Sequence, residues 1–153
     1  MGLRLSTGMR NAMMKSKGFK EALDTGIIEI YSGPQPVDAD AAETGTKLMR
    51  ITKASGAFVA GQATNGLLFA TDPVAGVISK SADVWSGVGL VDGVAGWYRF
   101  YDNAYGTGLS SSAIRIDGPC AAGGAPFSMS TTNIRVGVTA TVDTADYTMP
   151  AGS

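Results

Sequence analysis

The stretch Val84-Trp85-Ser86-Gly87-Val88-Gly89-Leu90-Val91-Asp92-Gly93-Val94-Ala95-Gly96-Trp97-Tyr98-Arg99-Phe100-Tyr101 decides the fold class. Two runs rich in aromatic and β-branched residues flank Asp92-Gly93, the dipeptide that best suits a two-residue type I′ turn. Counting outward predicts a hairpin in which Val91 pairs with Val94, Gly89 with Gly96, Gly87 with Tyr98, Trp85 with Phe100 and Val84 with Tyr101. A tyrosine ring over the glycine opposite would fill the gap that the missing side chain leaves. Gly93, as the second turn residue, would need a positive φ.

Neighbouring segments extend the strand pattern. Ile27–Tyr31 is a short β-branched run ended by Ser32-Gly33-Pro34, and residues 34–45 form a loop of small polar residues and prolines. Lys47–Lys53 reads as a further strand, and 67–70 and 76–80 as two short ones. Ile134, Val136, Val138, Ala140 and Val142 alternate with polar residues or glycine, and beyond Asp143 the apolar positions become Ala145, Tyr147 and Met149. A period of two that slips by one residue predicts a β-bulge near Asp143-Thr144. Eight or so short strands with frequent turns predict a mainly β fold, an antiparallel β-sandwich of jelly-roll type.

The chain's 153 residues fit one folded unit, with 44% hydrophobic and 16% charged residues against about 25% charged in an average domain. That excludes a disordered chain. The 21 glycines favour tight turns and close backbone approach over a helix bundle. There is no histidine, which removes Ser-His-Asp and Cys-His catalysis, histidine-bearing zinc sites and histidine pH switching. The single Cys120 cannot form an intramolecular disulfide, and in a Gly- and Ala-rich loop it reads as a small semi-buried thiol rather than a nucleophile. No apolar run approaches the roughly 18 residues that span a bilayer, and no signal-peptide h-region is seen, so no membrane association is expected.

Charge is unevenly placed. Residues 1–20 carry Arg4, Arg10, Lys15, Lys17 and Lys20 with no acid, and residues 21–46 carry Glu21, Asp24, Glu29, Asp38, Asp40 and Glu43 with no base. The block divides the chain into a basic N-terminal helical arm, 1–26, and a β-sandwich domain, 27–153. Within the arm, Leu5, Met9, Met13, Phe19 and Leu23 share one apolar face, Ser6 or Thr7 can cap a helix, and Gly26 sits where a C′ glycine ends one. Gly18 splits the pattern into helices near 7–16 and 18–25. Arg4, Leu5, Met9, Arg10, Met13, Lys15, Lys17 and Phe19 are the candidate protein-interface residues: the apolar members would supply the buried contact and the basic ones steering and register.

Other candidate sites have plainer readings. Asp38, Asp40 and Glu43 start like a calcium loop, but Ala42 takes the fifth position and no glycine follows, so a solvated acidic loop is expected and no metal. Ser110, Ser111 and Ser112 form a polar turn without the usual base. There is no phosphate-binding loop, no nucleophile elbow and no cofactor motif. Trp85, Trp97, Tyr98, Phe100, Tyr101 and Tyr105 serve either as core or as an exposed stacking platform for sugar or single-stranded nucleic acid, which the exposure of Trp85 and Trp97 would decide. The basic block has five charges and Phe19 as its single aromatic, so a nucleic-acid partner is not expected.

Several phrases together resemble a known group. Leu3-Arg4-Leu5-Ser6-Thr7-Gly8-Met9-Arg10-Asn11 precedes Gly26-Ile27-Ile28-Glu29-Ile30-Tyr31-Ser32-Gly33-Pro34-Gln35-Pro36 and Ala39-Asp40-Ala41-Ala42-Glu43-Thr44-Gly45-Thr46-Lys47-Leu48. Gly96-Trp97-Tyr98-Arg99-Phe100-Tyr101-Asp102 and Tyr147-Thr148-Met149-Pro150-Ala151 follow. Over most of its length the chain is similar to small virion structural proteins of tailed bacteriophages. The resemblance implies a non-enzymatic part of a phage particle, without cofactors, assembled in the host cytoplasm. Within that group a capsid cement or decoration protein is expected: a homo-oligomer that binds the major capsid protein and neighbouring copies of itself. The alternatives are a neck, tail or baseplate component, a carbohydrate-binding module for host attachment, and an enzyme with convergent carboxylates.

Overall fold

The computed structural model describes residues 2–151. Two short helices, α1 (Thr7–Lys15) and α2 (Phe19–Leu23), lie near its start, after a two-residue strand β1 (Arg4–Leu5). The strands that follow are β2 (Ile27–Ser32), β3 (Lys47–Lys53), β4 (Val77–Ser79), β5 (Trp85–Val88), β6 (Gly93–Tyr101), β7 (Arg115–Pro119), β8 (Phe127–Met129), β9 (Asn133–Ile134) and β10 (Thr139–Thr148). They form one curled antiparallel sheet, a half-barrel, in the order β1-β7-β6-β2-β3-β5-β10-β4, with β8 on β10 and β9 on β6. The mainly β class stands, but the expected sandwich of two stacked sheets is replaced by a single sheet that curls round its own core.

The predicted hairpin is not formed. β5 lies between β3 and β10, while β6 pairs with β2 on one side and β7 on the other. The connection passes over the end of β3, where the Leu90 and Val91 amides donate to the Leu48 carbonyl. Asp92 uses its carboxylate to accept the Val136 amide instead of closing a type I′ turn. Gly93 already belongs to β6, where a Cβ would press on the Leu48 side chain. The local turn signal loses because β6 matches β2 over Ile27–Ser32 and β7 over Arg115–Pro119, two long partners in place of one. Trp85 and Phe100 nevertheless meet, edge to face at 5.9 Å between ring centres, across the inside of the curl rather than along a ladder.

The bulge appears where the slipped alternation predicts it, as a register shift between Val142 and Thr144 against β8. It lets β10 turn Ala140, Val142, Ala145 and Tyr147 into the core in succession. That core lies on the concave side, where Phe69 contacts Phe19, Trp85, Phe100 and Tyr147 and where Tyr98 stacks on Phe127 at 3.8 Å. A 2.8 Å bond between the Tyr98 and Tyr147 hydroxyls satisfies two phenols that would otherwise be buried unpaired.

The N-terminal head is part of this body rather than a free arm. β1 pairs with β7, Met9 and Leu23 are fully buried, and Leu5, Met13 and Phe19 pack against the same core. Ser6 is the N-cap of α1: its Oγ accepts the Met9 amide and also the Arg115 amide, and donates to the Ala113 carbonyl. Gly8 allows the close docking, because a Cβ there would run into the carbonyls of Ser112 and Ala113. Gly26 is not the left-handed C′ residue; Thr25 takes that conformation at φ +66°. Gly26 instead bridges to Leu67 with its backbone against the Tyr101 carbonyl, where no side chain fits.

Candidate functional site

The densest chemistry lies on the convex side of the sheet. Four neighbouring strands each carry one charged residue in the middle of an apolar run: Arg50 on β3, Glu29 on β2, Arg99 on β6 and Asp117 on β7. The registers put Arg50 opposite Glu29, Glu29 opposite Arg99, Arg99 opposite Asp117 and Asp117 opposite Arg4 of β1. Five strands are thus crossed by a row of alternating sign. Directly opposed unlike charges are the favourable cross-strand arrangement.

Each buried member is held by several groups. Glu29, fully buried, accepts from Arg50 Nε and Nη2 at 3.0 and 2.9 Å, from Lys47 at 3.3 Å, and from the hydroxyls of Tyr31 and Tyr105 at 2.9 Å each. Arg99 grips Asp117 with two parallel bonds of 2.6 and 2.8 Å, the bidentate geometry that makes such pairs strong. Its remaining nitrogen donates to the Ala41 carbonyl and lies 3.4 Å from Glu43. Glu43 also accepts from the Tyr101 hydroxyl at 2.7 Å and the Gly108 amide at 2.8 Å.

Arg115 forms no ion pair with a described carboxylate. It is fully buried and donates to five carbonyl oxygens, those of Ala39, Asp40, Ala41, Gly106 and Gly108. These belong to two loops, so one guanidinium pins both over the convex face.

The environment fixes the protonation states. Burial pushes the phenols of Tyr31 and Tyr101 far above their usual range, with the nearby Glu29 and Glu43 adding to it, and Tyr105 is raised by burial to about 12. All three remain hydrogen-bond donors. Burial works against the Glu43 carboxylate, but bonds from Tyr101 and Gly108 and the charge of Arg99 outweigh it, so its pKa is lowered. Burial and the neighbouring Arg99 lower that of Arg115. The network holds the strands in register and fastens the loops.

The acidic residues singled out in the sequence do similar work. Asp38 Oδ1 accepts the amides of Asp40 and Ala41, forming a local turn. Asp40 accepts both the amide and the hydroxyl of Thr7, at 2.7 and 2.6 Å, which lowers its pKa and places a negative charge at the start of α1. Among the described residues no group of three or more acidic or thiol side chains is arranged to hold a metal ion. Ser110 and Ser112 form a polar turn in which Ser110 Oγ accepts the amides of Ser112 and Ala113. Burial raises the Cys120 thiol to about 12, leaving it a poor nucleophile.

The aromatic group resolves to core and network. Trp85 and Trp97 are both fully buried, Tyr31 stacks on Trp97 at 4.6 Å, and no exposed indole platform for a sugar is left. Two apolar clefts of about 600 and 470 Å³ flank the seam between β1 and the end of β10, sharing Leu3, Tyr147 and Thr148. Asp146 is the single carboxylate lining them, so neither offers the pair that a glycoside hydrolase needs.

The proposed interface residues separate by chemistry. Leu5, Met9, Met13 and Phe19 point into the protein's own core, whereas Arg4, Arg10, Lys15 and Lys17 are exposed. What remains outside is a set of basic side chains on a fixed support, with Asp40 near Arg10 and Asp102 near Lys17. Sequence reasoning overlooked Glu29, Arg50, Arg115 and Asp117. The available signal was a charge inside each of Ile27–Ser32, Lys47–Lys53 and Arg115–Pro119 with an apolar residue or glycine on either side, in a run otherwise suited to a strand; Arg115, at a strand end, gave no such signal.

No protein-family model, no curated protein and no solved structure matches this chain. Among the described residues no helix is long and apolar enough to cross a membrane.

Proposed function

We propose that this chain is a non-enzymatic structural protein of a tailed-phage virion, which binds the major capsid protein and neighbouring copies of itself and so reinforces the head. The sequence resemblance supplies the class. The observation that carries the reading is the exposed set Arg4, Arg10, Lys15 and Lys17, in a block without acids, on a head anchored by the buried Met9. A charged face on a rigid support loses little conformational freedom when it docks, and it steers approach to an acidic surface. The sealed polar network and the nearly acid-free clefts favour a structural part over a catalyst.

The test uses the triple variant Arg10→Glu, Lys15→Glu, Lys17→Glu of the full chain. Its melting temperature should stay within a few degrees of the parent, since all three side chains are exposed. Binding to phage heads stripped of the protein, read by co-sedimentation, should fall at least tenfold, and parent binding should weaken as salt rises. Unchanged binding by the variant would sink the basic-face reading. Labelled protein found at the neck or tail instead of the head would move the role to that part of the particle.

A further inference from the structure

One end of the half-barrel carries an apolar surface that the core does not use. Val88, Leu90, Val91, Val94, Val136 and Val138 are each 40–61% exposed. They lie on two segments joined backbone to backbone: Gly89 donates to the Val138 carbonyl, Gly137 donates to the Gly89 carbonyl, and Val94 pairs with Asn133. Arg135–Val138 is a tight turn closed by the Val138 amide on the Arg135 carbonyl, with Gly137 at φ +78°. That turn holds Val136 and Val138 out from the sheet. Strand ends normally carry polar turn residues; six aliphatic side chains gathered at one end mark a contact surface.

We infer that this end is a twofold contact between copies of the chain. Charge favours a second copy as the occupant. The patch carries one exposed acid, Asp92, and one exposed base, Arg135, brought close by the bond from the Val136 amide to Asp92 Oδ1, and no ion pair joins them. A surface with one charge of each sign beside an apolar centre is complementary to itself: a twofold axis through the valines sets each Asp92 against the other copy's Arg135. Area sets the strength of the contact. The exposed aliphatic surface is on the order of 500 Å², below the roughly 800 Å² that each partner buries in a stable complex. Pairing is therefore weak in dilute solution and becomes effective where copies are held side by side, as on a particle. The inference rests on the proposed virion role for its purpose but not for its geometry.

Sedimentation velocity of the full chain over a wide concentration range tests it. The parent should shift from monomer towards dimer as concentration rises into the high micromolar range. Val136→Asp and Val94→Asp should remain monomeric with unchanged melting temperature. Arg135→Asp alone and Asp92→Arg alone should each dimerise at least tenfold more weakly, and an equimolar mixture of the two should recover the dimer, because a twofold contact then pairs unlike charges on both sides. A parent that stays monomeric throughout, or charge variants that pair as well as the parent, would overturn the inference. So would variants that lose head binding while the parent never self-associates; that outcome assigns the patch to another protein and leaves the virion reading intact. A dimer in a chain that binds no particle part would uphold this contact and refute that reading.

Discussion

Replacing Met9 by alanine asks whether the basic head is a component of the folded body. Met9 is fully buried among the residues of the core cluster. Truncating a buried methionine removes its transfer free energy and leaves a cavity, a loss of about 2–5 kcal/mol. For a domain of this size each kcal/mol corresponds to about 2–4 °C in melting temperature, so Met9→Ala should lower it by roughly 4–20 °C. Met14, on the same helix and 89% exposed, is the internal control, and Met14→Ala should stay within about 0.5 kcal/mol of the parent. Urea titration followed by tryptophan fluorescence is the assay, since Trp85 and Trp97 are both buried and report on the body rather than the head. Deleting residues 1–17 should then abolish cooperative unfolding, because β1, the Ser6 cap and Met9 go together. A Met9→Ala variant within 1 kcal/mol of the parent, or a truncated chain that still unfolds cooperatively, would refute the account and restore a detachable arm.

Two further outcomes follow from the convex network. Asp117→Asn leaves Arg99 buried without its bidentate partner and should destabilise by about 3–5 kcal/mol, whereas the double replacement Arg99→Met, Asp117→Leu should lose clearly less, measured by the same titrations. Glu43 has a folded-state pKa below its usual 4.5, so it contributes stability that is present above that value and lost as pH falls through the lowered one. The stability difference between the parent and Glu43→Gln should therefore be full near neutrality and shrink below about pH 4.5, a comparison in which the raised Asp102, which Glu43 does not influence, cancels.

The sequence was most legible where a signal was carried by one segment. The break at Gly18 separates two helices, Ser6 caps the first, Lys47–Lys53 is a strand, and the slipped alternation after Val142 marks a bulge. Pairing was not legible, because it depends on which strands compete. Asp92-Gly93 between two β runs is a good hairpin signal taken alone, and nothing local reveals that β6 has longer partners in β2 and β7. The head misled for a related reason. Its charge pattern described the outer face correctly, but whether Met9 packs on another protein or on the chain's own body turns on Gly8, whose partners lie far along the chain: it meets the Ser112 and Ala113 carbonyls only once the chain has folded. The charged row escaped notice because its members are far apart in sequence and come into line only through register.

That row also explains how a single curled sheet can be specific without a second sheet behind it. A slip of one residue in any of the four central strands would turn Arg50, Glu29, Arg99 or Asp117 from the convex side into the aromatic core, and burying an unpaired charge there is prohibitive. Register is thus enforced from the polar side as well as the apolar one. The cover matters equally. Arg115 holds the carbonyls of residues 39–41 and of 106 and 108, and Glu43 bonds the Gly108 amide, so both loops are tied to the sheet and to each other. With the concave side filled by core and this convex region roofed by loops, the basic head and the aliphatic end of the curl stand apart from both, as do the two apolar clefts beside β1. The head and the aliphatic end are the two surfaces to which the proposed particle contact and the proposed self-contact are assigned. They lie on different segments, so substitutions at Lys15 and at Val136 should separate binding to the particle from pairing between copies.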